Sequence, residues 1–408
     1  MARPKTKVRP VRVTGPLGSY ANGFGEFLAS KGYSPLSAVN MLRVMDQLSR
    51  WLGERRIPPR ELTPDVINRF LRDRRLAGYT FCRSAKGLGP LLEHLRQVGM
   101  APMPSPDIPV GVVPVLVDSY AHYLAVERGL SAGTIRRCSV VAHSFLVTLD
   151  TLSDGGLDLD QLDAQRVTEF VRVECTRRPT GSAKNLVAAL RSLLRYLHLQ
   201  GWTPHNLAPA VPAVAGWRQG SLPRGLSATQ VTGLLRVCDR RRAVGRRDYA
   251  IITVLVRLGL RAAEVARLEL DDVDWRAGEV LVNGKGRRVE RLPLPSDVGE
   301  AVAAYLRHAR PLCAERGLFL RMRAPMGPMT SDAVLGVVGH AGVKAGFGPI
   351  GAHRLRHTAA TDMLRSGAAL AEVGLVLRHQ SLSTTAIYAK VDRDALRRLV
   401  LPWPGGAA

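Results

Sequence analysis

Two arginines, a lysine, three histidines and a tyrosine follow one another through the C-terminal part of the chain. Arg261 lies in LGLRAAE (258–264), Lys285 in a glycine-flanked turn, and His353, Arg356 and His357 in HRLRHT (353–358). His379 closes LRH (377–379), and Tyr388 follows nine residues later. Guanidinium groups are permanently charged planar forks that match phosphate oxygens in two-point geometry. A phosphodiester is anionic, and attack at phosphorus adds charge to its non-bridging oxygens, so fixed cations beside a nucleophile suit phosphoryl transfer. Tyr388 is the candidate nucleophile. Its phenol must give up a proton with a reference pKa of about 10, and nearby arginines favour the phenolate.

Spacing within the set narrows the chemistry. His353 and Arg356 stand three apart and His357 four apart from His353, so a helix places all three on one face. Two histidines four apart also occur in zinc-protease helices, but those need Glu after the first histidine and position 354 is Arg, so no metal is expected. Glu264 falls one helical turn after Arg261 and could orient its guanidinium. The chain has neither a GxxxxGK[ST] phosphate loop nor clustered carboxylates for a two-metal site. No cofactor is therefore expected.

The ordered set resembles that of the tyrosine recombinases, the family of phage-type integrases and Xer-like site-specific recombinases, whose catalytic domain carries Arg, Lys, His-x-x-Arg, His and Tyr in this sequence. The resemblance implies cleavage and rejoining of DNA by transesterification. Tyr388 would capture a 3′ phosphate, a 5′ hydroxyl would leave, and a partner strand's hydroxyl would reverse the step. It further implies Arg261 and Arg356 as phosphate clamps, Lys285 as the acid for the leaving oxygen, His353 in proton transfer, His379 donating to the phosphate, and Glu264 and His357 in support. Double-stranded DNA and assembly into a tetramer on it are the implied partners. Position 378 departs from the pattern, being Arg where the family usually has Gly. Its side chain is expected to face solvent, with an added phosphate contact as the alternative. Two other readings stay open: DNA relaxation of the type IB topoisomerase kind, and a non-catalytic DNA-binding architectural protein.

These residues need a scaffold. Ser227 and Gln230 form a capping-box pair opening the last module, and helices are expected near 246–258, 296–309, 331–344, 354–365, 370–378 and 382–388. Between them GEVLVNGKGRRVERLPL (278–294) reads as a hairpin, with β-branched residues flanking an Asn-Gly-Lys-Gly turn that carries Lys285.

Upstream, two segments repeat one order of features at an offset of roughly 100 residues: a Gly-x-Ser, an amphipathic stretch (LTPDVINRFL, LDAQRVTEFV), a Ser-Ala-Lys, and a Leu-rich run ending at Gly99 or Gly201. Each reads as about four helices. The expected fold is therefore mainly α: two SAM-like helical bundles at 16–104 and 112–205, a linker at 206–225, and a mixed α+β catalytic domain at 226–392 with a small antiparallel sheet. A basic arm (1–15) and a tail (393–408) flank them. Lys184 and Arg191 of the second bundle are candidate DNA-backbone contacts, and the first bundle is open to an accessory protein.

Composition agrees but decides little. A chain of 408 residues with 46% hydrophobic content implies two or three domains. The net charge of +24 suits a polyanionic partner, although all but eight of the basic residues are Arg, which compositional bias alone can produce. No apolar run approaches the roughly 18 residues of a membrane span, and no signal-peptide stretch is seen, so a cytoplasmic, nucleoid-associated protein is expected. Five scattered cysteines argue against a disulfide framework and are expected to be small core residues.

Overall fold

The computed structural model describes residues 11–103, 111–152, 157–215, 225–284 and 289–378. The chain divides into two compact units, one made of residues 1–102 and 219–408 and the other of 103–218.

In the first unit, the N-terminal module holds α1 (Ala21–Ser30), α2 (Pro35–Glu54), α3 (Pro64–Leu76) and α4 (Ala85–Gln97). Their starts are written locally. The Ser34 and Thr63 hydroxyls accept from the Ser37 and Val66 amides, and each is followed by a proline, whose fixed φ suits the first helical position. One apolar face per helix closes a core around Phe24, Leu28, Met45, Leu48, Leu52, Phe70 and Leu95. Each such side chain, fully buried, contributes about 1.5–3 kcal/mol.

The second unit repeats this order with α5 (Val112–Val126), α6 (Ala132–Leu152), α7 (Ala164–Thr176) and α8 (Thr180–Leu199). Gly99 and Gly201, at the ends of α4 and α8, share a positive φ (72° and 75°). The shared Ser-Ala-Lys differs in role. Ser84 caps α4, whereas α8 begins earlier, at Thr180 after the capping position Pro179, and Ser182 lies inside its first turn. Residues 206–225 read as a joint, yet Ala208 and Val211 are buried against the core of this unit, and Arg191 Nη2 donates to the Val211 carbonyl at 2.8 Å.

The catalytic module of the first unit contains α9 (Ala228–Arg236), α10 (Ala243–Leu258), α11 (Ala262–Arg267), a sheet, α12 (Ser296–His308), α13 (Ser331–Lys344), α14 (Ala352–Arg365) and α15 (Leu370–Val376). The Ser227–Gln230 capping box is formed in both directions. Helix α10 is the hub. Its residues Ala250–Val256 are all buried, and it packs against α9, α12, α13 and α14. The sheet is antiparallel in the order β1 (Val273–Asp274), β2 (Glu279–Asn283), β3 (Val289–Pro293), with Val280 opposite both Val273 and Leu292 on the buried face. The hairpin was expected; the two-residue β1 was not, because so short a strand shows no alternation. The turn joining β2 to β3, with Lys285, lies outside the described residues.

The two modules of this unit touch where the Met326 amide donates to the Lys31 carbonyl at 2.9 Å. No helix among the described residues is long and apolar enough to cross a membrane. Of the cysteines, Cys138 and Cys238 are buried as expected, but Cys313 is exposed, because it sits in the loop after α12.

Candidate active site

The site grows from the end of α10. Gly259 terminates this helix in the left-handed region (φ 59°), which lets the chain turn sharply into α11. A Cβ there would lie 2.5 Å from Leu377 Cδ2 and 3.3 Å from Ala359 Cβ, so glycine is also required by the close approach of α14 and the end of α15. Arg261 follows as the residue capping α11, and its backbone is extended.

Glu264 sits one turn along α11 and binds Arg261 twice: Oε2 accepts the Arg261 backbone N–H at 2.8 Å and Oε1 accepts Nη1 at 2.7 Å. The Glu264 side chain is 2% exposed, while that of Arg261 is 42% exposed, so one partner is fixed and the other is offered to solvent. Burial works against ionisation of Glu264. The Arg261 backbone N–H, then the Arg378 and Arg261 guanidiniums, outweigh it and hold the carboxyl below its ordinary range.

Helix α14 supplies the second set. Arg356 is 2% exposed, and its guanidinium reaches across to two backbone carbonyls: Nη1 donates to Gly259 O at 2.7 Å and Nη2 to Leu377 O. One arginine thus joins the ends of α10 and α15 to α14. His353 and His357 stack edge to face on the same helix, with ring centroids 4.3 Å apart. Desolvation, followed by the Arg356 and Arg261 guanidiniums, lowers the pKa of His353. Desolvation, with His353 and Arg356 behind it, lowers that of His357 to about 4. Both shifts favour the neutral imidazole, which carries one N–H to donate in a hydrogen bond and one ring nitrogen able to accept a proton.

Arg378 corrects an expectation. It does not face solvent: the residue is 9% exposed, its φ is 55°, and Nη2 donates to Glu264 Oε2 at 2.7 Å. The Glu264 carboxylate, buried 114 positions earlier in the chain, draws the guanidinium inward. An arginine in an Arg-rich sequence gives no sign of this, because the partner is recognisable only once α11 and α15 are adjacent.

Of the predicted residues, Arg261, Glu264, His353, Arg356 and His357 lie on two helices whose starting turns are joined through Gly259. Lys285, His379 and Tyr388 lie outside the described residues, although Arg378 brings the chain to the position before His379. Lys184 and Arg191 lie on α8 of the other unit, both partly buried. No cluster of three or more His, Cys, Asp or Glu able to hold a metal occurs among the described residues.

The sequence model described as "Phage integrase family" matches residues 224–394, and that described as "Phage integrase, N-terminal SAM-like domain" matches 117–201. A Sinorhizobium fredii protein named integrase/recombinase y4rA is 41% identical over 96% of this chain and 96% of its own length. The tyrosine recombinase XerD of Listeria innocua is 31% identical over 69% of this chain and 96% of its own. Among solved structures, the site-specific recombinase XerH bound to palindromic difH substrate aligns over 96% of this chain and 97% of that one, with a TM-score of 0.54 at 18% identity, a likeness of fold. The arrangement of helical bundle, small sheet and ordered cationic residues, and the sequence kinship along nearly the whole chain, have one meaning: this chain belongs to the phage integrase family of tyrosine recombinases, enzymes that break and rejoin DNA at specific sites.

Proposed function

We propose that the chain cleaves and rejoins double-stranded DNA by transesterification through a 3′-phosphotyrosyl intermediate on Tyr388. The observation that carries this is the exposed guanidinium of Arg261, held by a buried Glu264 beside His353, His357 and Arg356. A phosphate entering this site meets Arg261 directly. The neutral imidazole of His353 is suited to accept the phenol's proton, and Lys285 and His379 would serve the leaving oxygen and the non-bridging oxygens. His357, packed against His353, sets the ring's orientation. Phosphoester energy is kept in the protein–DNA bond, so rejoining needs no nucleotide.

DNA as partner is supported by the relatives, whose solved members include XerH bound to difH and a lambda integrase dimer bound to a core site. Exchange between two duplexes calls for four active sites, hence a tetramer on DNA. Lys184 and Arg191 are the proposed backbone contacts of the second bundle, and the N-terminal module is left for an accessory contact, whether DNA or protein.

The test starts from duplexes that the purified protein selects from a random-sequence pool. These are nicked so that the short cleaved fragment diffuses away, and then incubated without added metal. A covalent adduct on a denaturing gel, absent in Tyr388→Phe, is expected; an adduct of equal yield in Tyr388→Phe refutes the assignment of the nucleophile.

A further inference from the structure

Glu264 is shared by two arginines. Oε1 receives Arg261 Nη1 and Oε2 receives both the Arg261 backbone N–H and Arg378 Nη2, at 2.7, 2.8 and 2.7 Å. The exposures differ sharply: 42% for the Arg261 side chain, 2% for Glu264 and 4% for Arg378. Arg378 also donates from Nη1 to the Val376 carbonyl at 3.1 Å, and its backbone is left-handed at φ 55°. That conformation is unfavourable for any residue with a Cβ, and burying a guanidinium is unfavourable without a partner. Both costs are accepted at the position where the family usually carries glycine.

The charges explain what is gained. Glu264 with Arg261 alone is a neutral pair, and a carboxylate bound to one guanidinium competes with a phosphate for it. With Arg378 added, the group of three carries one surplus positive charge. Arg378 is enclosed, so the surplus is presented through Arg261. We propose that Arg378 is a positioning residue for the cleavage reaction: it satisfies Glu264 from within, so that Glu264 orients Arg261 without neutralising it and leaves Arg261 free to bind a phosphate oxygen. This rests on the phosphoryl-transfer reading above. It has a second consequence, since the turn that leads to residue 379 is anchored on the same carboxylate that aims Arg261.

The experiment measures single-turnover adduct formation on the selected nicked duplex, at saturating duplex, with duplex affinity measured in parallel. Arg378→Met is expected to form adduct at least about tenfold more slowly while affinity stays within about threefold, and Arg378→Lys to recover most of the rate. Arg378→Gly, which relieves the backbone, is expected to be as slow as Arg378→Met. In a Glu264→Gln background the further change Arg378→Met should cost less than about threefold, because the residue acts through that carboxylate. Where Arg378→Met does not fold, the paired variant, which lacks both buried charges, is compared with Glu264→Gln. Wild-type rates in Arg378→Met or Arg378→Gly, or equal losses in both backgrounds, overturn the proposal. If the wild type forms adduct and the variants match it, only this proposal fails. If the wild type forms none, the phosphotyrosyl reading fails and takes this proposal with it.

Discussion

Gly259→Ala tests whether the site is held together through the end of α10. Two costs add. An L residue in the left-handed region loses about 1–2 kcal/mol. The new Cβ also meets Leu377 Cδ2 at 2.5 Å and Ala359 Cβ at 3.3 Å, both in packed surroundings, and overpacking of this kind costs about 1–3 kcal/mol. The control is Gly278→Ala in the β1–β2 turn. Its φ is similar, 67° against 59°, but nothing lies within 4 Å of the added Cβ, so only the first cost applies. The steric difference of about 1–3 kcal/mol corresponds to a roughly 5- to 150-fold difference in opening equilibrium. Hydrogen exchange of α10 and α14 amides, followed by mass spectrometry in the intact chain, reads that equilibrium locally. Moving Leu377 also displaces the carbonyl that Arg356 holds, so Gly259→Ala is expected to slow adduct formation well beyond Gly278→Ala. Equal loss of protection in the two variants refutes the claim that α10, α14 and the end of α15 are locked at this glycine.

Two further outcomes follow from the same geometry. The His357 pKa is about 4 in the folded chain, below its unfolded value, so the unfolded state binds the extra proton first; stability is complete above about pH 6.5 and falls as pH drops toward 4. His357→Asn should flatten the pH dependence of unfolding in that window, and an unchanged slope would show that His357 is not the titrating group. Thr358 Oγ1 accepts the buried Leu226 N–H at 2.8 Å, tying the start of the catalytic module to α14; Thr358→Val keeps the shape but orphans that donor and should cost about 1–3 kcal/mol in denaturant unfolding. A loss below a few tenths would mean that Leu226 finds another acceptor.

Much of this architecture could be read from the chain because its signals are local. Ser34 with Pro35, Thr63 with Pro64, and Ser227 with Gln230 mark helix starts within four residues, and the structure places helices there. His353, Arg356 and His357 share a face for the same reason: helical spacing is an in-chain property. What could not be read depends on distant partners. The carbonyls of Gly259 and Leu377 that hold Arg356 have no signature, since every residue has a carbonyl. Arg378 has the sequence surroundings of a surface arginine, and only its distant partner Glu264 makes it a buried one. Arg191 is by sequence a candidate phosphate contact, and nothing in its surroundings along the chain announces that its guanidinium donates to the Val211 carbonyl of its own bundle. Strand β1 is paired through two residues only, too few for a pattern.

The contact between the Lys31 carbonyl and the Met326 amide joins groups made far apart in time as well as in sequence. During synthesis the N-terminal bundle has every residue of its own core long before its docking partner exists. At about 5–20 residues per second, the roughly 300 residues between them take about 15–60 seconds to emerge. For that interval the bundle must stand on its own core, and the middle bundle is completed before the first can dock. The nascent chain therefore passes through a stage in which its first unit exists only in part, with the Lys31 edge open to whatever else the ribosome's surroundings offer.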